Sequence, residues 1–120
     1  MNEQVTGKFV ERIDAVFLPV RNLEESLLWY QEIFSFDLRW KNDRMCELSI
    51  APNCGFHLVQ ISDFQPITTY TPFNYVVKDV EEVRNRLIEK KVTVSDIRTG
   101  EPKRFDLTDI NGNMISVIEL

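Results

Sequence analysis

His57 is the only histidine in this 120-residue chain, and that limits the chemistry the sequence can hold. An imidazole can carry a proton near physiological pH or supply one metal ligand. One ligand does not hold a transition ion, since zinc sites use three or four. Cys46 and Cys54 are the only cysteines. They lack Cys-x-x-Cys spacing, and no identifiable base would turn either into a thiolate nucleophile, so two free thiols are expected. Phe17 and Trp40 are rings on β-prone segments and could sandwich a planar ligand, or could simply fill a small dry cavity. Alternation puts His57, Val59 and Ile61 on one strand face. Glu47 and Asp106 are carboxylates that could approach the same space. For His57, the plainer role of a partly buried ring bonded to a carbonyl is preferred. For Arg39, Arg44, Arg98 and Arg104, solvation at the surface is the default over pairing with a ligand carboxylate.

The elements that must position these groups occur twice. Val20-Arg21-Asn22-Leu23-Glu24-Glu25 returns 57 residues later as Val77-Lys78-Asp79-Val80-Glu81-Glu82. Each copy ends a β-branched, aromatic run and opens an amphipathic stretch. Asn22 and Asp79 are N-caps, and Glu25 and Glu82 suit capping boxes. Leu23, Leu27, Tyr30 and Phe34 make one buried helical stripe; Val80, Val83 and Leu87 make the other. Lys90 and Lys91 suit the second helix's C-terminal dipole. Strands are predicted over 13–20, 36–41, 45–51 and 55–62 in the first half. In the second they fall over 73–78, 92–98, 103–108 and 114–119. Pro19 lacks an amide donor, so one side of the first strand is not fully paired. Asn111-Gly112 is the strongest hairpin signal, tolerating positive φ at both turn positions. The order is βαβββ, twice, with residues 1–12 as an N-terminal arm.

Bulk properties narrow the partners. The chain is 43% hydrophobic and 28% charged, with a net charge of −5, which fits one globular domain. Its basic residues are scattered, whereas a nucleic-acid surface needs a concentrated stripe. No apolar run is long enough to span a membrane, and the N-terminus does not read as an export signal. A cytoplasmic protein is expected.

Val20 to Ser26 running into Trp29-Tyr30, the segment Phe73 to Val83, and Asp109-Ile110-Asn111-Gly112-Asn113 together resemble the vicinal oxygen chelate superfamily. That superfamily holds glyoxalase I, bleomycin-resistance proteins, extradiol dioxygenases and fosfomycin-resistance enzymes. The likeness covers about residues 13–120, as modules 13–62 and 72–120. It implies an α+β fold with two tandem βαβββ modules, forming a curled, mostly antiparallel sheet around a cavity. It also implies a homodimer, sometimes with modules exchanged between chains.

In metal-dependent relatives, His, Glu or Gln ligands come from the first and last strand of each module. The first-strand position lies about five residues before the valine preceding the helix cap, which lands on Ala15 and Pro72. The last-strand position lies about four residues after the turn glycine, which lands on Ser116. The 57-residue repeat carries Ser116 onto Val59, beside His57. A methyl group and a pyrrolidine ring have no lone pair to give, and a neutral hydroxyl is a weak ligand. The family's standard metal site is therefore expected to be lost, with no cofactor.

What this resemblance implies is a metal-independent binder of an aromatic or hydrophobic small molecule, with Phe17, Trp40, His57, Val59, Asn74 and Ser116 facing the cavity and no catalytic residue. The alternative is a lyase, isomerase or dioxygenase holding a divalent ion at a nonstandard site built from His57, Glu47 and Asp106. A third is a module whose cavity has closed, leaving only a role in binding partners.

Overall fold

A computed structural model describes residues 9–120. The expected arm falls mostly outside them; its described part, 9–12, forms neither helix nor strand. The first module runs β1 (Ala15–Val20), α1 (Leu23–Phe34), β2 (Asp37–Lys41), β3 (Met45–Ala51) and β4 (Cys54–Gln60). The second runs β5 (Asn74–Val77), α2 (Val80–Glu89), β6 (Thr93–Val94), β7 (Lys103–Thr108) and β8 (Met114–Glu119). The strands form two separate four-stranded sheets, ordered β1-β4-β3-β2 and β5-β8-β7-β6. Each is mixed: β1–β4 and β5–β8 run parallel and the other pairs antiparallel. The expected α+β fold with a duplicated βαβββ plan is thus present, as two four-stranded mixed sheets that do not close into barrels.

Both caps form. Asn22 Oδ1 accepts from the Glu25 amide at 2.9 Å. Asp79 Oδ1 accepts from the Glu81 and Glu82 amides at 3.1 Å each. Helix α1 stops at Ser35, which takes the left-handed conformation at φ 60. Leu23, Leu27 and Tyr30 bury the face of α1 against Leu18, Val20, Phe56 and Leu58; Val80 and Leu87 bury that of α2 with Phe105, Leu107 and Val117. Removing these apolar side chains from water, at about 25 cal/mol per Å2, is the main force holding each helix to its sheet. Lys90 does not serve its own helix as expected. Its Nζ donates to the Glu32 and Ile33 carbonyls at 3.2 and 3.0 Å, satisfying the C-terminus of α1 instead.

Strand β6 has two residues, where a run over 92–98 is expected. Beyond Val94, the Ser95 amide still donates to the Asp106 carbonyl at 2.9 Å, but the return bond from the Asp106 amide goes to Ser95 Oγ at 2.9 Å, so a side chain takes one place in the ladder. Only an isolated bridge between Arg98 and Arg104 resumes the pairing.

The Asp109–Asn113 turn joins the two modules. The Gly112 amide bonds the Asp109 carbonyl at 3.0 Å. Within the turn only Gly112 has positive φ, 89, so left-handed backbone is not needed at Asn111. Asp109 accepts from Tyr30 Oη and from the Asn111 and Asn113 amides. Asn113 Nδ2 donates to the Pro19 carbonyl at 2.8 Å, and its Oδ1 accepts from the Ile67 amide at 2.8 Å. Asn111 Oδ1 accepts from the Arg21 amide and its Nδ2 donates to Ser26 Oγ. The turn therefore ties β8 to the first strand and helix of the other module through buried, satisfied polar groups.

Candidate ligand-binding faces

Alternation gives each sheet a helix-covered face and an open face. On β1 and β4, Leu18, Val20, Phe56 and Leu58 turn to the helix side. Phe17 and His57 turn the other way, as the register pairs Phe17 with His57 and His57 with Glu47. Trp40 completes the row only because of a bulge. Leu38 pairs with Leu48, but the register shifts between Leu38 and Trp40, so Trp40 lies opposite Glu47. Without that extra residue Trp40 would face Cys46 and the core.

The row is a connected cluster. Phe17 stacks on His57 with centroids 4.4 Å apart and planes at 15°. Trp40 lies tilted, 5.7 Å from the imidazole. Trp40 Nε1 donates to Glu47 Oε1 at 2.8 Å. His57 Nε2 lies 3.8 Å from the same oxygen, and Arg39 Nη1 lies 3.8 Å from Oε2. His57 Nδ1 is 3.4 Å from the Val16 carbonyl, close to its expected plain role. Both ring nitrogens thus face oxygens. Gly55 leaves room for this: a Cβ there would meet Glu47 Oε2 and His57 Cε1 at 3.1 Å and Ala15 Cβ at 3.2 Å. Phe17 is 59% exposed and Trp40 40%, while His57 beneath them is 8% exposed. The face therefore presents two half-open rings beside a carboxylate that accepts from Trp40 Nε1 and lies near Arg39 and His57.

Val59 lies on the same open face one step along β4, beside a shallow groove with Asn42, Asp43, Arg44 and Met45. Asn74 and Ser116 are brought together, but on the second sheet, where Asn74 pairs with Ser116 and Ser116 with Asp106. Asp106 is paired with Arg98 at 3.1 Å. The six expected cavity residues thus fall into two groups on two sheets. Glu47 and Arg39, which join Phe17, Trp40 and His57 into one cluster, are not among those six.

Strand register corrects one correspondence. Phe17-His57-Glu47 in the first sheet matches Asn74-Ser116-Asp106 in the second. Ser116 therefore corresponds to His57, not Val59, because the later strands of the second module are offset by 59 residues rather than 57. The four positions where the resemblance puts metal ligands are then Ala15, His57, Pro72 and Ser116. One imidazole and one hydroxyl do not fit a divalent ion. Among the described residues, no three His, Cys, Asp or Glu side chains gather closely enough to hold one.

Cys46 is buried, and burial pushes its thiol pKa up, away from thiolate chemistry. Cys54 is exposed, and both thiols are free. No helix among the described residues is long and apolar enough to cross a membrane.

The model of the Glyoxalase/Bleomycin resistance protein/Dioxygenase superfamily matches residues 12–117. The chain belongs to this superfamily. Solved structures share its fold. TnmS3, an antibiotic binding protein from Streptomyces sp. CB03234, is similar with a TM-score of 0.79 at 20% identity, covering 92% of this chain and 96% of that one. A glyoxalase family protein from Enterococcus faecalis is similar with a TM-score of 0.77 at 18% identity, covering 91% and 98%. Lactoylglutathione lyase from Agrobacterium tumefaciens is similar with a TM-score of 0.75 at 14% identity, covering 93% and 96%. Among curated protein sequences none matches significantly. A lyase and an antibiotic binding protein thus share this scaffold, and these likenesses fix the fold without choosing between them.

Proposed function

We propose that this superfamily member is a metal-independent, cytoplasmic small-molecule-binding protein whose ligand seats on the open face of the first sheet. The observation that carries this is the Glu47 carboxylate bonded by Trp40 and set beside His57, on which Phe17 stacks. A flat ring that stacks on half-exposed aromatics and donates a hydrogen bond to Glu47 fits it. The ligand class is therefore an aromatic or hydrophobic molecule bearing an N–H or O–H donor. The structural likeness to an antibiotic binding protein lends support to a binding role.

A homodimer belongs to the same reading. The face is open within one chain, and a second copy would close it.

The test is titration with a panel of amine- and hydroxyl-bearing aromatics, read by calorimetry. Binding should survive treatment with a chelator. Glu47→Ala should weaken it about tenfold or more, the cost of losing a charge-assisted hydrogen bond. Trp40→Ala should weaken it by a similar factor. A stoichiometric transition metal in protein purified without chelators, together with loss of binding when it is removed, would overturn the reading.

A further inference from the structure

Another cavity lies elsewhere, on the helix side between the two modules. It measures about 510 Å3, within the range of sites that take small organic ligands. Its wall is aromatic: Phe34, Phe36, Phe56 and Tyr75 line it. Their rings pack against one another stacked, tilted or edge-on, with centroids 5.1 to 6.1 Å apart. Arg86 and Lys90, from the last turn and cap of α2, are the cations of the lining, and no carboxylate lines the cavity. Lys90 is held by the two α1 carbonyls. Arg86 makes no ion pair among the described residues.

One polar group among these apolar walls lacks a partner. The Tyr75 hydroxyl is buried and makes no hydrogen bond among the described residues. A buried hydroxyl left without a partner is costly, and native cores seldom leave one. An apolar wall, an unserved hydroxyl and cations without a matching carboxylate together define an amphiphile's site.

We infer that the cavity between the modules is a second binding site, for a small molecule with an aromatic or aliphatic body and an anionic head. The body lies among Phe34, Phe36, Phe56 and Tyr75, and the head meets Arg86. Its charge preference is opposite to that of the Glu47 face, so the two sites are separable by ligand charge.

The chain carries its own reporter, because exposed Cys54 lines the cavity while Cys46 is buried. The probes are 2-naphthoate and 2-naphthylmethylammonium, which share a body and differ in charge. Naphthoate should bind and slow alkylation of Cys54 by N-ethylmaleimide in proportion to occupancy, read by mass spectrometry. Arg86→Glu, at an exposed position, should weaken naphthoate about tenfold or more, as expected for a lost charge-assisted contact. Trp40→Ala should leave naphthoate binding unchanged, which separates this site from the sheet face. Equal affinity for the two probes, or naphthoate binding without protection of Cys54, would overturn the inference. So would protection of Cys54 that follows protein concentration in the absence of ligand, which would show that a second copy fills the cavity.

Discussion

Asp109 is the residue on which the joint between the modules turns. Burial raises its pKa above the ordinary 3.8, against the hydrogen bonds from Tyr30, Asn113 and Asn111 that favour the carboxylate. A raised value in the folded state means that the native protein takes up this proton more readily than the unfolded chain. The stability that follows is fully present below the ordinary carboxylate value and is lost as pH rises through the raised one. Asp109→Asn cannot ionise, so its stability should fall less than the wild type's as pH rises from about 3.8 toward neutrality. Urea denaturation across that window measures the difference. Asp109→Ala leaves Tyr30 Oη and two backbone amides buried without an acceptor. It should cost roughly 3 kcal/mol at neutral pH, at the upper end for unsatisfied polar groups. The Tyr30 hydroxyl, buried beside this carboxylate, has its own pKa pushed well above 10.0, chiefly by burial, so it stays protonated and can donate to Asp109.

The hairpin that carries Asp109 shows how an element depends on one backbone angle. Gly112 sits at φ 89, and a Cβ there would come within 3.3 Å of Pro66 Cβ. Gly112→Ala should therefore cost about 1–2 kcal/mol, the price of left-handed backbone with a side chain. Thermal melting should show it, and the loss should be smaller in a protein already carrying Asp109→Ala, since both weaken one joint. The same hairpin shows what can be read from sequence. Asn111-Gly112 announces a turn, and the repeated cap motif announces both helices, because caps and turns depend on local chemistry. Alternation likewise puts Phe17 with His57. Two features were out of reach. The bulge that turns Trp40 toward Glu47 depends on how β2 pairs with β3, and the truncation of β6 depends on Ser95 reaching Asp106. Both are set by contacts between segments distant in the chain, which no local pattern encodes. The same dependence on pairing hid the match between Ser116 and His57.

At the scale of the molecule, the described residues span 49 × 40 × 27 Å, and the two open faces belong to separate sheets. Phe17 on one and Val76 on the other are 59% and 61% exposed. Apolar groups left open on two matched faces suit closure by another copy, with the first sheet of one chain over the second sheet of its partner. Glu47 and Asp106 hold equivalent places in the two sheets, so an exchanged dimer would bring one of each to every cup. This arrangement can be distinguished by complementation. Glu47→Ala and Asp106→Ala proteins should each lose affinity for a donor-bearing aromatic. Unfolded together and refolded as a mixture, they should form mixed dimers in which one cup carries both substitutions and the other carries neither. Calorimetry on the isolated mixed dimer should then recover one wild-type site for every two chains. If each chain instead binds through its own first sheet alone, Asp106→Ala binds normally by itself. The mixed dimer then holds one wild-type site without any exchange, and the single-variant titration separates the two cases.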